Sequence, residues 1–338
     1  MSARAVKTIA TIVALVALGI GGYIWWDRTR TVYISETITR WDDSLGAHLL
    51  LPNLSNAEVT VIDRPHEPSE NMAEDRFETV KRLRVFHVST NSMGLRGPEL
   101  DNPKDKFRIV CVGDSVTFGW GVSYEESYPA RLKRSLADQG YDVEVINAGV
   151  PAMKPATLAD WVYREQEIWL PDLVVVARRP DNSTPNPLKD YYSNIGGLIR
   201  HSEVPVVVVL PPVSMFDVKG VENWEAEYEW IKGQLTVPVF ELTPAFRGEA
   251  EDMPGVHLEI GNDGSQRMLE MPGRRVLVDG GRGDQLDADI IQAFEDDLTL
   301  LEPLFFDGGH PTSEGFEFFA DEVGAFLISS GALNGYSQ

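Results

Sequence analysis

From Phe107 onward short apolar runs alternate with amphipathic stretches, and this alternation limits the fold more than any other feature of the chain. "FRIVCVG" (107–113) is apolar and ends in a turn, the pattern of a strand buried on both faces. "YPARLKRSLADQG" follows with apolar residues at helical spacing and Gly140 as a stop. "DVEVINAG" reads as the next strand, and "ATLADWVYREQEIWL" as a helix closed by Pro171. "DLVVVAR", "EVPVVVVLPP" and "VPVFELT" are three more strands, with a helix, "VENWEAEYEWIKGQL", between the last two. Five strands alternating with helices predict an α/β fold: a five-stranded parallel sheet with right-handed crossovers and helices on both faces.

After Pro244 the alternation breaks. Residues 247–300 hold the turn-like "GNDG" and "DGGRGDQ" and a hairpin pattern, "VHLEIGNDGSQRMLEM". They read as an insertion on the core, either surface decoration or a flap over a binding site. "LFFDGGHPTSEGFEFFADEVGAFLISSG" then leads through a loop into a terminal amphipathic helix. The core domain is thus expected over 106–330.

Upstream, residues 8–26, "TIATIVALVALGIGGYIWW", carry no charge and follow Arg4 and Lys7. Nineteen helical residues span roughly 28 Å, close to the ~30 Å hydrocarbon core of a bilayer. Trp25 and Trp26 stand at the far end, where aromatic residues favour the interface. Residues 1–30 are therefore expected to form a transmembrane anchor, with a cleaved signal peptide as the competing reading. With a segment this short before an anchor, the rest of the chain is expected outside the cytoplasm. Residues 31–105 read as a stalk or N-terminal extension, polar and proline-containing at "LPNLSNAEVTVIDRPHEPSENMAED".

Charge excludes one class of partner. With 52 acidic against 30 basic residues the net charge is −22, which argues against binding nucleic acid, where basic patches must displace phosphate counterions. The single cysteine, Cys111, lies inside the first apolar run, so neither an intrachain disulfide nor a thiolate metal cluster is expected. No metal and no cofactor is implied.

In a doubly wound sheet, ligands bind at the carboxyl ends of the strands. Ser115 lies just beyond the first core strand, in "GDSVTFGWG". The turn has neither a Walker lysine nor dinucleotide-binding glycine spacing, and Thr117 replaces the second glycine of Gly-x-Ser-x-Gly. By itself, Gly-Asp-Ser fits a helix-capping serine as well as a nucleophile. The second feature is "FFDGGHPTSEG", with Asp307 and His310 three residues apart. A serine hydroxyl needs a base to take its proton, usually an imidazole held in one tautomer by a carboxylate.

"GDSVTFG", "NAGVP" and "DGGHPTSEG", in that order, resemble the motifs of the SGNH (GDSL-type) hydrolases across roughly residues 107–330. "TNSMGLRGPEL" looks like the segment preceding Gly-Asp-Ser in membrane-anchored bacterial members. The resemblance implies a flavodoxin-like three-layer α/β/α fold and metal-free hydrolysis or transfer of acyl groups, often acetyl, on carbohydrates, lipids or small esters. It implies Ser115 as nucleophile, His310 as base and Asp307 as its orienter. The N–H groups of Ser115 and Gly149 would donate to the oxyanion. For a third donor the family has Gly-x-Asn-Asp, whereas this chain reads "VVVARRPDNSTPN". Pro180 falls at the asparagine position and cannot donate; Asn182 serves if the loop bulges, or Arg178 or Arg179 supplies positive charge. Esterase is the first reading, acting on an ester-bearing small molecule or polysaccharide. An acyltransferase of the same fold, or a catalytically silent binding module, is the alternative.

Two further patterns are discounted. "GGRGDQLDAD" is one copy of a calcium-type nonapeptide, one residue short, and such sites need stacked repeats. The tryptophans of "ENWEAEYEWIKG" lie six apart, off the spacing of one helix face.

Overall fold

The computed structural model describes residues 38–63, 82–181, 184–213, 224–252, 257–260, 266–271, 274–279, 304–305 and 309–336. All belong to one compact unit, Glu36–Gln338. Among these residues no helix is long and apolar enough to cross a membrane. The expected anchor, Asn182, Asp307 and most of the expected insertion lie outside them.

Two antiparallel pairs come first: β1 (Thr39–Asp42) with β2 (Ala47–Leu50), and β3 (Ala57–Asp63) with β4 (Arg82–Val88). The alternating part then begins with β5 (Phe107–Gly113), α1 (Ser115–Phe118), α2 (Tyr128–Asp138) and β6 (Val143–Gly149). It continues with α3 (Pro155–Trp169), β7 (Leu173–Ala177), α4 (Pro187–His201) and β8 (Val206–Leu210). α5 (Trp224–Gln234), β9 (Val239–Glu241) and α6 (Thr243–Asp252) follow. β10 (His257–Ile260), β11 (Gln266–Met271) and β12 (Arg274–Asp279) form a separate antiparallel sheet, and α7 (Ser313–Ser329) closes the chain. The hairpin pattern of 256–271 is therefore present as β10–β11. The boundary expected near 247 falls inside α6.

The five parallel strands run in the order β6-β5-β7-β8-β9, the flavodoxin-like arrangement. Their side chains explain why these runs are apolar at every position. Ile109, Cys111, Val145, Val175 and Val207 join one buried cluster with Leu132 of α2 and Phe316 and Phe319 of α7. The alternate residues Val110, Val112, Ile146, Val174 and Val208 are equally buried. On a pleated strand these residues point to the opposite face, the side of α3, α4 and α5. Each fully buried valine or leucine contributes about 1.5–3 kcal/mol of transfer free energy. Cys111 is fully buried, and burial pushes its thiol up to about 12; it is a core residue.

Residues 82–101 are held on this sheet. Arg96 makes an antiparallel backbone bridge to Asn147 on the edge strand β6. The Asp101 N–H donates to the Glu144 carboxylate of the same strand at 2.9 Å. The edge is thus covered by the chain's own extension.

Candidate active site

Gly113 of β5 stands level with Gly149 of β6 on one side and Ala177 of β7 on the other. The chain moves from β5 outward to β6 and then crosses back to β7. Strand order therefore reverses at β5/β7, where a crevice opens beyond the carboxyl ends. Ser115, the first residue of α1, sits at this point.

α1 has four residues, too few to be stable through its own hydrogen bonds. Asp114 is its N-cap and accepts the Val116 N–H at 3.0 Å. The capping role thus belongs to Asp114, which leaves the Ser115 hydroxyl for other work. At the other end, Arg96 donates to the carbonyls of Phe118 (2.5 Å), Gly119 (2.7 Å) and Val122 (2.6 Å). Asn147 Nδ2 also donates to the Phe118 carbonyl, at 3.2 Å. The helix rests directly on the strand ends. A Cβ on Gly113 would lie 2.2 Å from the Ala177 carbonyl oxygen, and one on Gly149 would lie 2.0 Å from the Phe118 nitrogen.

His310 arrives from the far end of the chain. Its Nε2 lies 2.8 Å from Ser115 Oγ, although 195 residues separate them. The Thr312 N–H donates to the Leu304 carbonyl at 2.8 Å, and Phe305 and Pro311 form a backbone bridge. Thr312 Oγ1 then caps α7 by accepting the Gly315 N–H at 3.1 Å. The buried Trp120 ring lies beside the imidazole, 6.1 Å between centroids. With Nε2 facing the hydroxyl, Nε2 can accept the serine proton only while Nδ1 carries the other hydrogen.

Of the residues singled out in the sequence, Ser115 and His310 are brought together. Asp307 and Asn182 lie outside the described residues. Gly149 is adjacent, but its N–H donates to Asn147 Oδ1 at 3.0 Å. As an oxyanion donor it would have to give up that bond. The exposed residue of the same turn is Ala152, in the left-handed region at φ 59, a conformation that side chains other than glycine adopt at a cost. Pro180 is buried. Arg178 is turned into the protein: Nη1 pairs with Asp114 Oδ2 at 3.1 Å, and Nε donates to the Met153 carbonyl at 2.9 Å. Sequence reading missed Arg96, Asn147, Trp120 and the Arg178–Asp114 pair as parts of the site. No local pattern announces any of them; Arg178 and Asp114 meet because the parallel register sets the residues after Gly113 and Ala177 side by side.

No protein-family model matches the chain. An acetylxylan esterase from Xylanibacter ruminicola is 33% identical over 90 residues, 24% of this chain and 18% of that protein. The chain thus matches less than a fifth of that curated relative's length. Among solved structures, a lipase/acylhydrolase from Enterococcus faecalis is similar at 20% identity and TM-score 0.44, covering 66% of this chain and 96% of that one. A lipolytic protein of the G-D-S-L family from Desulfitobacterium hafniense is similar at 18% identity and TM-score 0.38, covering 65% and 99%. The neighbours are esterases and lipolytic hydrolases by name.

Proposed function

We propose that this chain is a serine esterase that removes acyl groups from ester-bearing substrates through an acyl-enzyme on Ser115. The observation that carries this reading is the 2.8 Å contact between Ser115 Oγ and His310 Nε2 at the switch point of the sheet. In the first half-reaction, Ser115 Oγ bonds to the ester carbonyl carbon while its proton passes to His310 Nε2. The C–O bond to the alcohol then breaks, and the imidazolium returns the proton to the departing oxygen. Water repeats the sequence on the acyl-enzyme and releases the carboxylic acid. Asp307, three residues before His310, is the proposed acceptor for Nδ1–H.

The oxyanion formed at each attack needs N–H donors already in place, each worth about 3 kcal/mol. The Ser115 N–H opens the first turn of α1, where backbone donors have no partner within the helix. Gly149 and Asn182 are the further donors proposed from the family resemblance. Ala152, the exposed residue of the same turn, is proposed as a competitor to Gly149, whose N–H is bound to Asn147. An O-acetylated polysaccharide is the proposed substrate class, supported by the acetylxylan esterase relative. The charge-free segment at 8–26 is proposed to hold the catalytic body at a membrane, outside the cytoplasm.

The test is fluorophosphonate labelling together with turnover of p-nitrophenyl acetate and acetylated xylan. The intact protein should label at one residue, and Ser115→Ala should abolish labelling and cut kcat/KM on the order of 10⁴-fold or more. His310→Ala should lose activity on a similar scale. Well-folded protein that does not label, or equal turnover by the Ser115→Ala variant, would overturn the reading.

A further inference from the structure

We infer that Arg178 is a positioning residue for this site: one guanidinium locks together the three loops that leave β5, β6 and β7. The inference rests on the esterase reading above and names a residue that acts through others. Arg178 follows β7 directly, and its Nη1 reaches Asp114 Oδ2 (3.1 Å), the N-cap of the nucleophile's helix. Its Nε donates to the Met153 carbonyl (2.9 Å) in the turn after β6. Nη1 also donates to the Arg179 carbonyl (2.9 Å) in its own loop. Both charged side chains are largely withdrawn from water, at 12% and 16% exposure, so solvent screens their attraction less than it would a surface pair.

Geometry explains why arginine stands here. β6 and β7 flank β5, so Arg178 must span two strand spacings, roughly 10 Å, to reach the turn after β6. A planar fork with several fixed donors serves a carboxylate on one nitrogen and a carbonyl on another. A lysine ammonium would serve one partner at a time. Through Asp114, the clamp sets the first turn of α1 and hence the direction of Ser115. Through Met153, it sets the carbonyl next to Ala152, the strained and exposed residue of the turn. The family resemblance expects an asparagine donor in this loop where the chain has Pro180. The loop contributes here by fastening its neighbours.

The test uses the full chain with Arg178→Ala, Arg178→Lys, Asp114→Asn and the double variant Arg178→Ala/Asp114→Asn. Steady-state kinetics on p-nitrophenyl acetate, the fluorophosphonate labelling rate and Tm are measured for each. Arg178→Ala should lower kcat about 10- to 100-fold, the range expected when reacting groups shift by around an ångström, with KM within about threefold. Labelling should slow in parallel. Arg178→Lys should fall between the two, because it retains a charge for Asp114 or a donor for Met153. Asp114→Asn keeps an acceptor for the Val116 N–H but loses the ion pair, so the double variant should be no slower than Arg178→Ala alone. If Arg178→Ala does not fold, Arg178→Lys and Asp114→Asn decide the matter by the same kcat-against-KM split. A folded Arg178→Ala within twofold of the intact protein would overturn the inference while wild-type labelling leaves the esterase reading standing. So would losses that multiply in the double variant. An intact protein that neither labels nor turns over would remove the esterase reading and the clamp with it.

Discussion

The two ends of the parallel sheet bury charge in opposite ways. At the amino end, Arg108 and Glu144 are neighbours in the β5/β6 register, both almost fully buried, and form an ion pair. Arg108 also donates to the carbonyls of Trp169 and Asp101 at 2.6 Å each, and Glu144 accepts the Asp101 N–H. At the carboxyl end, Arg96 is just as buried, yet none of the described ion pairs includes it. Its partners are four backbone carbonyls, those of Phe118, Gly119, Val122 and His87, and the Phe118 ring, 4.3 Å from the guanidinium carbon. Burial pushes Arg96 down to about 9, against the opposing pull of Glu125, Tyr124 and Glu126. Arg108 closes a scaffold through a countercharge. Arg96 instead satisfies the carbonyl end of a helix too short to hold itself, and that helix begins with Ser115.

The contrast breaks most sharply at Glu144. Glu144→Ala leaves Arg108 buried without its countercharge and should cost about 3–5 kcal/mol of stability. Denaturant unfolding measures the loss, and active-site titration should show kcat per folded molecule unchanged. Replacing both members with apolar residues should recover most of it. A fall in kcat beyond the unfolded fraction would mean that the amino end is also part of the catalytic machinery. Arg96→Met is the opposite case. It removes a costly buried charge but takes a donor from each of these carbonyls, of which Phe118 keeps the bond from Asn147, for a net loss on the order of 1–3 kcal/mol. Here kcat should fall as well, several-fold, because the end of α1 loosens. Loss of stability alone would erase the distinction between the two ends.

These interactions differ in how far they can be read from a linear sequence. Strands buried on both faces appear as continuous apolar runs, so "FRIVCVG" coincides with β5 to the residue. Helix α4 escaped because Gly196 and Gly197 interrupt its pattern; each costs about 1 kcal/mol relative to alanine, and packing against α3 offsets it. α6 escaped because Pro244 reads as the end of the alternation, although proline in a first turn also begins helices. Gly149 teaches a different lesson. A missing side chain permits close approach of backbone to a ligand or of backbone to backbone, and one sequence cannot separate the two. Here α1 already occupies the bare face of that glycine. Arg178 and Asp114 become neighbours only through the β5/β7 register, which no local pattern announces.

The smallest expected effect sharpens the same comparison. Ala152, at φ 59, belongs to the carboxyl end, whereas Leu170, at φ 49, ends α3 at the amino end. Both are exposed, and Leu170 donates its N–H to the Gln166 carbonyl at 2.9 Å. Left-handed backbone costs a non-glycine residue about 1–2 kcal/mol. Glycine relieves that cost but returns about 0.4–1 kcal/mol of entropy to the unfolded chain. Ala152→Gly and Leu170→Gly should therefore each gain up to about 1 kcal/mol, seen as a Tm rise of a few degrees. Only Ala152→Gly should touch the chemistry, lowering kcat roughly two- to fivefold as the turn beside Ser115 gains freedom. Equal kinetic effects from the two variants would show that strain in the β6–α3 turn has no special bearing on the site.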